Sequence, residues 1–453
     1  MAMTNSHEVE VAIVGGGPSG AAAALALAQL GIEAVLLEST HYDTVRIGET
    51  VPPAIRQPLT ELGIWERFLE TEPHPSYANQ SVWGTAEIQH HDFILNPYGS
   101  GWHLDRGRFD RMLAEAARQR GVRVMTGARV LSLRPAGQGW TIAGQQEGVP
   151  FSFSARFLVD ATGRRSTIAR KAGRRQRSID NLIGLVAFLQ SSAADVVTTN
   201  TLLVEAVENG WWYSAPLADG RLVAVYMTDS DLLPVKGGKL AFWLNCLHHT
   251  CLTKQRLRPF QSPAKLTIRP ANTSFMEQLA GPNFLAIGDA AMAFDPLSSQ
   301  GIYKALCGAI GAASVVAEVR NGQSGGLETY AGELHHEFNR YLELRTAYYS
   351  LERRWPDSLF WQRRWPIAPP QPEITLHPMR TVHFQEQTNS LSEIDQLKLL
   401  YGFPDFDQLC ELCRTPRLAN EVISAFQNQY GAGVDERRLI IALQRLVEHG
   451  IVK

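Results

Sequence analysis

A strand, a glycine-rich turn and a helix follow one another near the start of the chain, and this order restricts the fold more than any other feature. Val9 to Val14 is an apolar run rich in β-branched residues, as expected of a strand buried on both faces. The turn spans Gly15 to Gly20 with the sequence GGGPSG, and an alanine-rich helical segment continues to Leu30. A second strand, Ala34–Leu37, ends at Glu38. The pattern predicts an α/β domain built on a parallel sheet.

The glycines of this turn have separate physical roles in a nucleotide site. Gly15 permits the turn, Gly17 lets a diphosphate approach the backbone, and Gly20 lets the helix pack closely on the strand. The diphosphate meets the N–H groups at the positive end of the helix, while Glu38 stands where a carboxylate accepts hydrogen bonds from a ribose. We therefore expect a Rossmann-like domain. The residues assigned to the nucleotide in this stretch are Gly15, Gly17, Pro18, Ser19, Gly20, Glu38 and Ser39.

Composition narrows the class of protein. The 453 residues are 45% hydrophobic with a net charge of −2, which favours a soluble globular chain and gives no general attraction to nucleic acid or membranes. Five cysteines are too few and too unevenly placed for a disulfide framework, so we expect a reducing compartment. The chain opens without a basic and apolar leader. These features predict a cytoplasmic protein with no nucleic-acid partner, no membrane partner and no metal.

Two further apolar strands end in polar turns. One ends at Asp160 and Gly163, where the carboxyl edge of a parallel sheet would meet a nucleotide. The other ends at Gly288-Asp289 and leads into a helix that runs to about Val319. A polar turn with glycine at a helix N-terminus is a second anion site, suited to a ribityl phosphate or the polar edge of a flavin. The residues assigned to this second turn are Gly288, Asp289, Pro296, Gln300, Gly301 and Ile302.

Aromatic residues are frequent in two strand-rich segments, about 75–105 and 180–275. Three successive aromatics, at 211–213, cannot all face one side of a strand, so at least one should line a cleft or be exposed. Aromatic side chains line apolar pockets, although such stripes also form ordinary core. The predicted substrate-pocket residues are Trp83, Trp102, Trp211 and Tyr213.

The three motif sets together resemble the FAD monooxygenases of the para-hydroxybenzoate hydroxylase type, over residues 8 to about 365. The resemblance implies a Rossmann-like α/β FAD-binding domain with an inserted mixed β-sheet substrate domain. It also implies that the Gly288-Asp289 turn contacts the ribityl chain and diphosphate, that Asp160 and Gly163 brace the nucleotide site, and that Arg106 reaches the cofactor. Arg46 and Val130 complete the predicted cofactor set.

Within this superfamily, Gly48-Glu49-Thr50 followed by proline, and the region of Trp211 to Pro216, are similar to the flavin-dependent tryptophan halogenases. Those enzymes need a lysine to carry the hypohalous species, and there is no lysine between Val51 and Lys171. They also have a glutamate where this chain has Ser298. The remaining resemblance is to the hydroxylases of this branch, which oxygenate a tryptophan within a precursor protein to build a tryptophylquinone, as in quinohemoprotein amine dehydrogenase maturation.

The C-terminal part differs in character. A proline-rich linker is predicted at 366–372, and a hairpin with three short helices at 373–453 is similar to small α+β winged-helix domains, which hold leader peptides by adding a strand. Cys410 and Cys413 are interpreted as core residues one helical turn apart. Seven of the fourteen residues at 164–177 are Arg or Lys; they form either a solvated face or a docking surface. A precursor protein or peptide docked on these parts is the expected partner.

Hydroxylation of an aromatic ring is therefore the predicted reaction, with FAD as cofactor, O2 as co-substrate and NAD(P)H or a reductase as electron source. Indole is already nucleophilic, so a base is needed only to remove the ring proton. Glu49 and His103 are the candidate catalytic residues. Two alternatives stay open: hydroxylation of a free aromatic or polyketide metabolite, and a non-catalytic FAD-binding scaffold for maturation.

Overall fold

The computed structural model describes residues 7–44, 46–192, 199–234, 238–323, 325–365, 381–382, 406–430, 439–440, 442–443, 446–447 and 452. The strands are β1 His7–Val14, β2 Ala34–Leu37, β3 Thr50–Val51, β4 His74–Ser76, β5 Ala78–Val82, β6 Gln89–Asp92, β7 Gly101–His103, β8 Arg123–Met125, β9 Ala128–Ala136, β10 Gly139–Gln146, β11 Val149–Asp160, β12 Gln176–Ser178, β13 Leu182–Leu189, β14 Thr201–Val207, β15 Gly210–Pro216, β16 Leu222–Asp229, β17 Thr267–Pro270, β18 Ser274–Met276, β19 Ala280–Gly281, β20 Phe284–Ala286, β21 Met292–Ala293, β22 Thr381–Val382 and β23 Arg417–Leu418.

The helices are α1 Pro18–Gln29, α2 Arg56–Glu61, α3 Trp65–Glu70, α4 Arg106–Gln119, α5 Thr167–Lys171, α6 Lys239–His248, α7 Leu252–Leu257, α8 Gly301–Arg320, α9 Gly326–Leu351, α10 Leu359–Gln362, α11 Phe406–Leu412 and α12 Ala419–Tyr430. The chain divides into two compact units. The first contains residues 1–82 and 92–341, and the second contains residues 83–91 and 342–453.

A parallel sheet forms the centre of the first unit. Its parallel strands lie in the order β8, β2, β1, β11 and β20, and an antiparallel hairpin of β9 and β10 continues from β11. Val11, Ala12 and Ile13 of β1 are at most 1% exposed, because strands lie on both sides of β1 and helices cover the faces. The predicted Rossmann-like fold is therefore confirmed, and the carboxyl ends of β1 and β11 meet at one edge.

Helix α1 packs closely against this sheet and against α8. Nearly all of its side chains are alanine or leucine and are buried. Among the described residues, α8 alone has the length and hydropathy of a membrane span, and its apolar character is that of a helix packed on α1 through small residues such as Ala309 and Ala313. The two helices bring their N-termini to the same domain as the glycine turn.

A second, mixed sheet forms the predicted substrate domain. Within the first unit its strands lie in the order β17, β13, β16, β15, β14 and β5, with β5 parallel to β14 and the others antiparallel. Helices α6 and α7 cover one face, where Trp212 and Trp243 pack with ring centroids 4.8 Å apart. The opposite face presents Trp211 and Tyr213, because successive residues of a strand point to opposite sides.

A small antiparallel sheet connects the two larger ones. In it β7 lies between β3 and β4, and the register places His103 opposite both Thr50 and His74. Trp102 packs edge-on against Phe68 of α3, with ring centroids 5.7 Å apart. This packing fixes the segment that follows the second β-strand of the nucleotide domain.

The second unit contains its own aromatic core. The Trp83 indole donates to the carbonyl of Tyr348 across 3.0 Å and packs against Trp361. Farther along the chain, β22 pairs antiparallel with β23, and Cys410 and Cys413 are buried with Phe426. The predicted linker 366–372 lies outside the described residues, as does most of 373–453, so the winged-helix fold stays a prediction.

Candidate functional site

The glycine turn between β1 and α1 has the shape that a diphosphate needs. Gly15 has a φ of 106°, and a Cβ there would lie 2.2 Å from the carbonyl oxygen of Ala161. A Cβ on Gly20 would lie 1.8 Å from the carbonyl oxygen of Gly15, so the helix packs on the turn only because this residue is glycine. A Cβ on Gly17 would meet only Arg46, at 3.9 Å. The space beside Gly17 is therefore open.

The N-terminus of α1 is free to bind an anion. Its N-cap residue is Gly17, which provides no capping side chain, and Pro18 occupies the first helical position. The first N–H groups of a helix have no intrahelical acceptor and lie at the positive end of the helix dipole. Ser19 is buried, and its hydroxyl lies close to Gly288 of the second turn. The two predicted anion sites are thus adjacent.

Glu38 is held at the end of β2 by the residues around it and is only 5% exposed. Its Oε2 accepts a hydrogen bond from the Gly16 N–H at 2.8 Å, and its Oε1 accepts from Thr40 and Arg46. A carboxylate oxygen can accept more than one hydrogen bond, so Oε2 retains capacity for a ribose hydroxyl. Ser39, next in the chain, is exposed. This placement agrees with the predicted role of Glu38.

A line of alternating charges extends from Glu38 into the first unit. Arg46 contacts Glu38 at 3.0 Å and Asp110 at 2.7 Å, and Arg106 contacts Asp110 at 3.1 Å. Arg106 also donates to the carbonyl of Ile47, in the loop before Glu49. The sequence analysis missed Asp110, although its position four residues after Arg106 on one helix was a usable signal. In this structure Arg106 positions the loop and the buried Asp110.

Asp160 lies at the edge of the sheet, and its role in bracing the nucleotide site stays a prediction. It is fully buried at the end of β11 and accepts hydrogen bonds from the Thr162 hydroxyl and from the Ala169 N–H, both at 2.6 Å. Burial raises the pKa of its carboxyl, while these hydrogen bonds oppose the rise. Gly163 follows with a φ of 67° and open space around it. Asp160 thereby holds the turn in place.

The second predicted anion site lies at the start of α8. Gln300 is the N-cap residue and makes no side-chain capping bond, while no atom lies within 4 Å of a Cβ built on Gly301. The Asp289 carboxylate is 3.5 Å from Arg164, and Pro296 begins a short turn that Asp295 caps. Ile302 is buried beneath the helix end. Val130 lies apart from these residues in sequence, opposite Gly144 in the β9–β10 hairpin.

Glu49 is a buried carboxylate whose two oxygens have different surroundings. It is 2% exposed, and its Oε2 accepts from the Tyr213 hydroxyl at 3.3 Å and from the Gly48 N–H at 3.1 Å. Its Oε1 is buried and has no partner among the described residues. Burial raises the pKa of the Glu49 carboxyl, and the charge of Arg106 opposes this. Burial also raises the pKa of Tyr213, so its phenol stays protonated and donates. Glu49 and Tyr213 together form a buried pair in which the Glu49 carboxylate can accept a proton.

His103 is equally buried, but it faces different neighbours. Its Nδ1 lies 3.0 Å from the hydroxyl of Thr50, and its Nε2 is buried without a partner. Burial lowers the pKa of His103 to about 3, and the charges of His74 and Arg256 add to this effect. The imidazole is therefore neutral at pH 7. The structure places Glu49 and His103 on adjoining segments and shows no direct hydrogen bond between them.

The four predicted pocket aromatics are separated by the structure. Trp211 and Tyr213 share one face of β15 with ring centroids 6.3 Å apart, whereas Trp212 lies in the core of the other face. Trp102 is half-buried against α3. Trp83 belongs to the aromatic core of the second unit. Of this set, Tyr213 contacts Glu49.

Three members of the basic run at 164–177 are bound within the chain. Arg164 contacts Asp289 and the carbonyl of Asn272, while Lys171 and Arg174 donate to backbone carbonyls. The other basic residues are exposed: Arg165, Arg170, Arg175 and Arg177. The first group stabilises the fold, and the second leaves a smaller positive surface than the sequence predicted.

The residues present fit a bound FAD. The open side of Gly17, the two uncapped helix N-termini and the oriented carboxylate of Glu38 provide space for the diphosphate, donors for its oxygens and an acceptor for the ribose. The backbone N–H groups near Gln300 and Gly301 would face the flavin. FAD supplies the redox and oxygen chemistry when bound.

Comparisons with known proteins agree with this site. The chain is 30% identical over 358 residues to the putative FAD-dependent oxidoreductase LodB of Marinomonas mediterranea, covering 78% of this chain and 95% of that protein. It is 25% identical to the 1H-pyrrole-2-carbonyl-[peptidyl-carrier protein] chlorinase of Pseudomonas fluorescens, covering 77% of this chain and 85% of the other.

Solved structures share the fold along nearly the whole chain. The myxobacterial chondrochloren halogenase CndH superposes with a TM-score of 0.72 at 22% identity, covering 98% of this chain and 97% of that one. The peptidyl tryptophan dihydroxylase QhpG superposes with a TM-score of 0.67 at 23% identity, covering 98% and 99%. The sequence profile described as "FAD binding domain" matches residues 8–343. On this match and its own cofactor geometry, the chain belongs to the FAD-binding domain family of flavin-dependent oxidoreductases.

Proposed function

We propose that the protein is an FAD-dependent monooxygenase that hydroxylates an aromatic ring, and that the ring is a tryptophan side chain within a precursor protein or peptide. The observation that carries the proposal is the buried Glu49 carboxylate: its Oε2 accepts from the Tyr213 hydroxyl, while its Oε1 has no partner among the residues that the structure describes. The likeness to QhpG supports the choice of substrate, because that protein is a peptidyl tryptophan dihydroxylase involved in tryptophylquinone biogenesis.

The lysines favour hydroxylation over halogenation. No lysine precedes Lys171 in the sequence, and the Nζ of Lys171 donates to the carbonyl of Leu131. Lys304 is buried, with its Nζ bonded to a backbone carbonyl and 3.7 Å from the centroid of the Phe294 ring. Burial lowers the pKa of Lys304. Both ammonium groups are thus bonded to backbone carbonyls, whereas a halogen carrier needs an amine available to the substrate.

The chain's own residues then bind, orient and deprotonate. In the net reaction the aromatic ring exchanges a C–H bond for a C–OH bond, and the ring proton must be removed. Glu49 Oε1 is the proposed proton acceptor, while the Tyr213 hydroxyl donates a hydrogen bond to Oε2 and so fixes the orientation of the carboxylate. The neighbouring Trp211 provides apolar surface for an indole. His103 stays the alternative acceptor from the sequence analysis.

The proposed partner is a polypeptide. The exposed arginines of the basic run provide positive charge for an acidic stretch of substrate, and the C-terminal part would contribute a winged-helix docking domain. O2 is the co-substrate, and NAD(P)H or a reductase is the electron source. We propose a cytoplasmic location because the cysteines are free.

The test is mass spectrometry of capped tryptophan peptides and candidate precursor proteins, incubated with the FAD-loaded protein, a reductant and O2. The proposal predicts one or two added oxygen atoms on tryptophan and no bromine isotope pattern when bromide is present. Oxygen added only to small free aromatics would contradict the polypeptide substrate. Brominated product would contradict hydroxylation.

The scaffold alternative needs a separate comparison. Glu49→Gln keeps the size of the side chain and removes the proposed proton acceptor, with Glu115→Gln on the exposed face of α4 as its control. We expect product formation to be lost in the first variant and kept in the second, with partner binding kept in both. Maturation of the precursor by Glu49→Gln at the wild-type rate would contradict a catalytic role.

A further inference from the structure

A second polar group of side chains includes Thr50, the residue after Glu49, and we call it the histidine recess. It consists of Thr50, His74, Ser76, His103 and Arg256. The small sheet builds most of it, because His103 lies opposite both Thr50 and His74. Ser76 is two residues from His74 in β4 and therefore faces the same side. The rings of His74 and His103 stack with centroids 6.1 Å apart.

Arg256 of α7 joins this group through a short loop before β14. Its Nη2 donates to the carbonyls of Thr199 and Thr201, and the residue between them, Asn200, bonds to Nε2 of His74 at 2.9 Å. The guanidinium is close enough to the His103 ring to disfavour protonation of that ring. The loop therefore fixes the arginine beside the two histidines.

Three members of the recess have polar atoms without a partner among the residues that the structure describes. His103 and Ser76 are fully buried, yet no described residue hydrogen-bonds to Nε2 of His103 or to the Ser76 hydroxyl. Nε and Nη1 of Arg256 are buried without a partner as well. Buried polar groups are nearly always paired in folded proteins, because an unpaired one loses its bonds to water and gains nothing in return. A ligand that fills the recess would recover these bonds.

The chemistry of the unpaired atoms identifies the ligand class. Arg256 can only donate, and Ser76 can donate. Where Nδ1 of His103 accepts from the Thr50 hydroxyl, Nε2 carries the proton and also donates. Within the residues that the structure describes, no carboxylate pairs with Arg256. Several donors with one unbalanced positive charge suit a small anion.

We propose that the histidine recess binds a carboxylate of the substrate, the side chain of an aspartate or glutamate next to the tryptophan that is oxygenated. Thr50 follows Glu49 directly in the chain, so an anion held here would place the adjoining residue of a polypeptide near the reaction centre. The identity of the occupant rests on the proposed function. The recess itself does not, and a free halide is the other source of the same chemistry.

The experiment compares two capped dipeptides, Ac-Asp-Trp-NH2 and Ac-Asn-Trp-NH2, which have the same shape and differ in charge. Binding to the FAD-loaded protein is measured by calorimetry and by the change in flavin absorbance. We expect the aspartyl peptide to bind about tenfold more tightly, as a charge-assisted hydrogen bond would give. Arg256→Gln should abolish this preference, and Arg256→Lys should restore part of it.

Arg258→Gln is the matched control, because Arg258 is exposed two residues from Arg256. It should keep the full preference. Bromide, titrated at constant ionic strength, separates the two sources of the anion. If bromide competes with the aspartyl peptide and not with the asparaginyl peptide, the recess binds both anions. If bromide binds and the protein shows no preference between the peptides, the recess is a halide site and the proposed carboxylate is rejected. Circular dichroism and FAD content verify that each variant is folded.

Equal affinity of the wild-type protein for both peptides, together with no effect of bromide, would overturn the proposal even if the arginine variants fail to fold. The binding result is independent of turnover. A preference for the aspartyl peptide without any oxygenated product would retain the anion site and reject the proposed reaction. Oxygenated product without any preference for the aspartyl peptide would retain the proposed reaction and reject the anion site.

Discussion

The phenol of Tyr213 donates a hydrogen bond to Oε2 of Glu49 across 3.3 Å, and the two residues are 164 positions apart in the chain. One belongs to the mixed sheet of the predicted substrate domain, and the other to the loop that follows the nucleotide domain's second strand. The proposed reaction centre is therefore complete only when both domains have folded. The hydrogen bond also couples the protonation state of Glu49 to that of Tyr213.

Tyr213→Phe tests this link. The Tyr213 hydroxyl stabilises the ionised Glu49 and so lowers a pKa that burial has raised. Removing it raises the Glu49 pKa further, because the ionised carboxylate loses a hydrogen bond. If ionised Glu49 accepts the proton, the acidic limb of the pH–rate profile moves to higher pH, and activity at low pH falls. An unchanged profile would show that Glu49 is not the titrating group. Tyr226→Phe is the control, because it removes the same hydroxyl from a tyrosine that donates to the carbonyl of Asn209.

Gly17→Ala separates cofactor binding from folding. A Cβ at this position meets only Arg46 at 3.9 Å, so the apoprotein should keep its thermal midpoint. The methyl group occupies the space that the diphosphate needs, so FAD affinity should fall about tenfold or more, measured by flavin fluorescence titration. Gly308→Ala in α8, also with open space, should change neither. Normal FAD affinity in Gly17→Ala would mean that the diphosphate does not pass this turn.

Arg46→Gln tests the line of charges. Arg46 is bonded to both Glu38 and the fully buried Asp110, and its loss leaves Asp110 with Arg106. We expect the free energy of unfolding to fall by about 2–3 kcal/mol, because a buried carboxylate loses one of its partners. Denaturant titration gives the value. Arg111→Gln is the control, because Arg111 follows Asp110 on α4 and its hydrogen bonds to the carbonyls of His41 and Tyr42 are long, at 3.4 and 3.5 Å. Equal losses in both variants would contradict a special role for Arg46.

His103→Asn tests the burial of a neutral imidazole. The pKa of His103 falls from its usual 6.5 to about 3 on folding, so between these values the unfolded chain binds a proton that the folded chain does not. Stability is therefore fully present above pH 6.5 and is lost as pH falls, by about 2 kcal/mol between pH 7 and pH 5. The variant should lack this part of the pH dependence in urea titrations at the two pH values. If the free energy of unfolding changed equally with pH in the wild-type protein and in the variant, the result would contradict the burial of a neutral His103.

Local sterics explain what the sequence could predict. The glycine turn, the strands on either side and the uncapped helix are decided within thirty residues, and a φ of 106° at Gly15 is a constraint that any reader of the sequence can anticipate. Asp160 and Gly163 follow the same logic. The alternation of Trp211, Trp212 and Tyr213 is likewise local, because a strand has a period of two.

The features that the sequence could not predict depend on contacts between distant segments of the chain. Arg46 and Asp110 meet across 64 residues, and neither neighbourhood indicates the other. Trp83 packs with Tyr348 across 265 residues, so an aromatic that was predicted to line a pocket proves to be core of the second unit. The unpaired atoms of Glu49 and His103 could not be foreseen either, since a missing partner is visible only in three dimensions.

Asp110 has one further consequence, because two arginines share it. Arg46 extends from it to the carboxylate at the ribose end, and Arg106 extends to the carbonyls just before Glu49. If a bound nucleotide changes the contact of Arg46 with Glu38, the contact of Arg46 with Asp110 changes with it, and so does the share of Asp110 left to Arg106. Any coupling between the ribose end and the loop before Glu49 then has the same free energy in both directions. An empty protein and a loaded one would differ in how firmly they present Glu49.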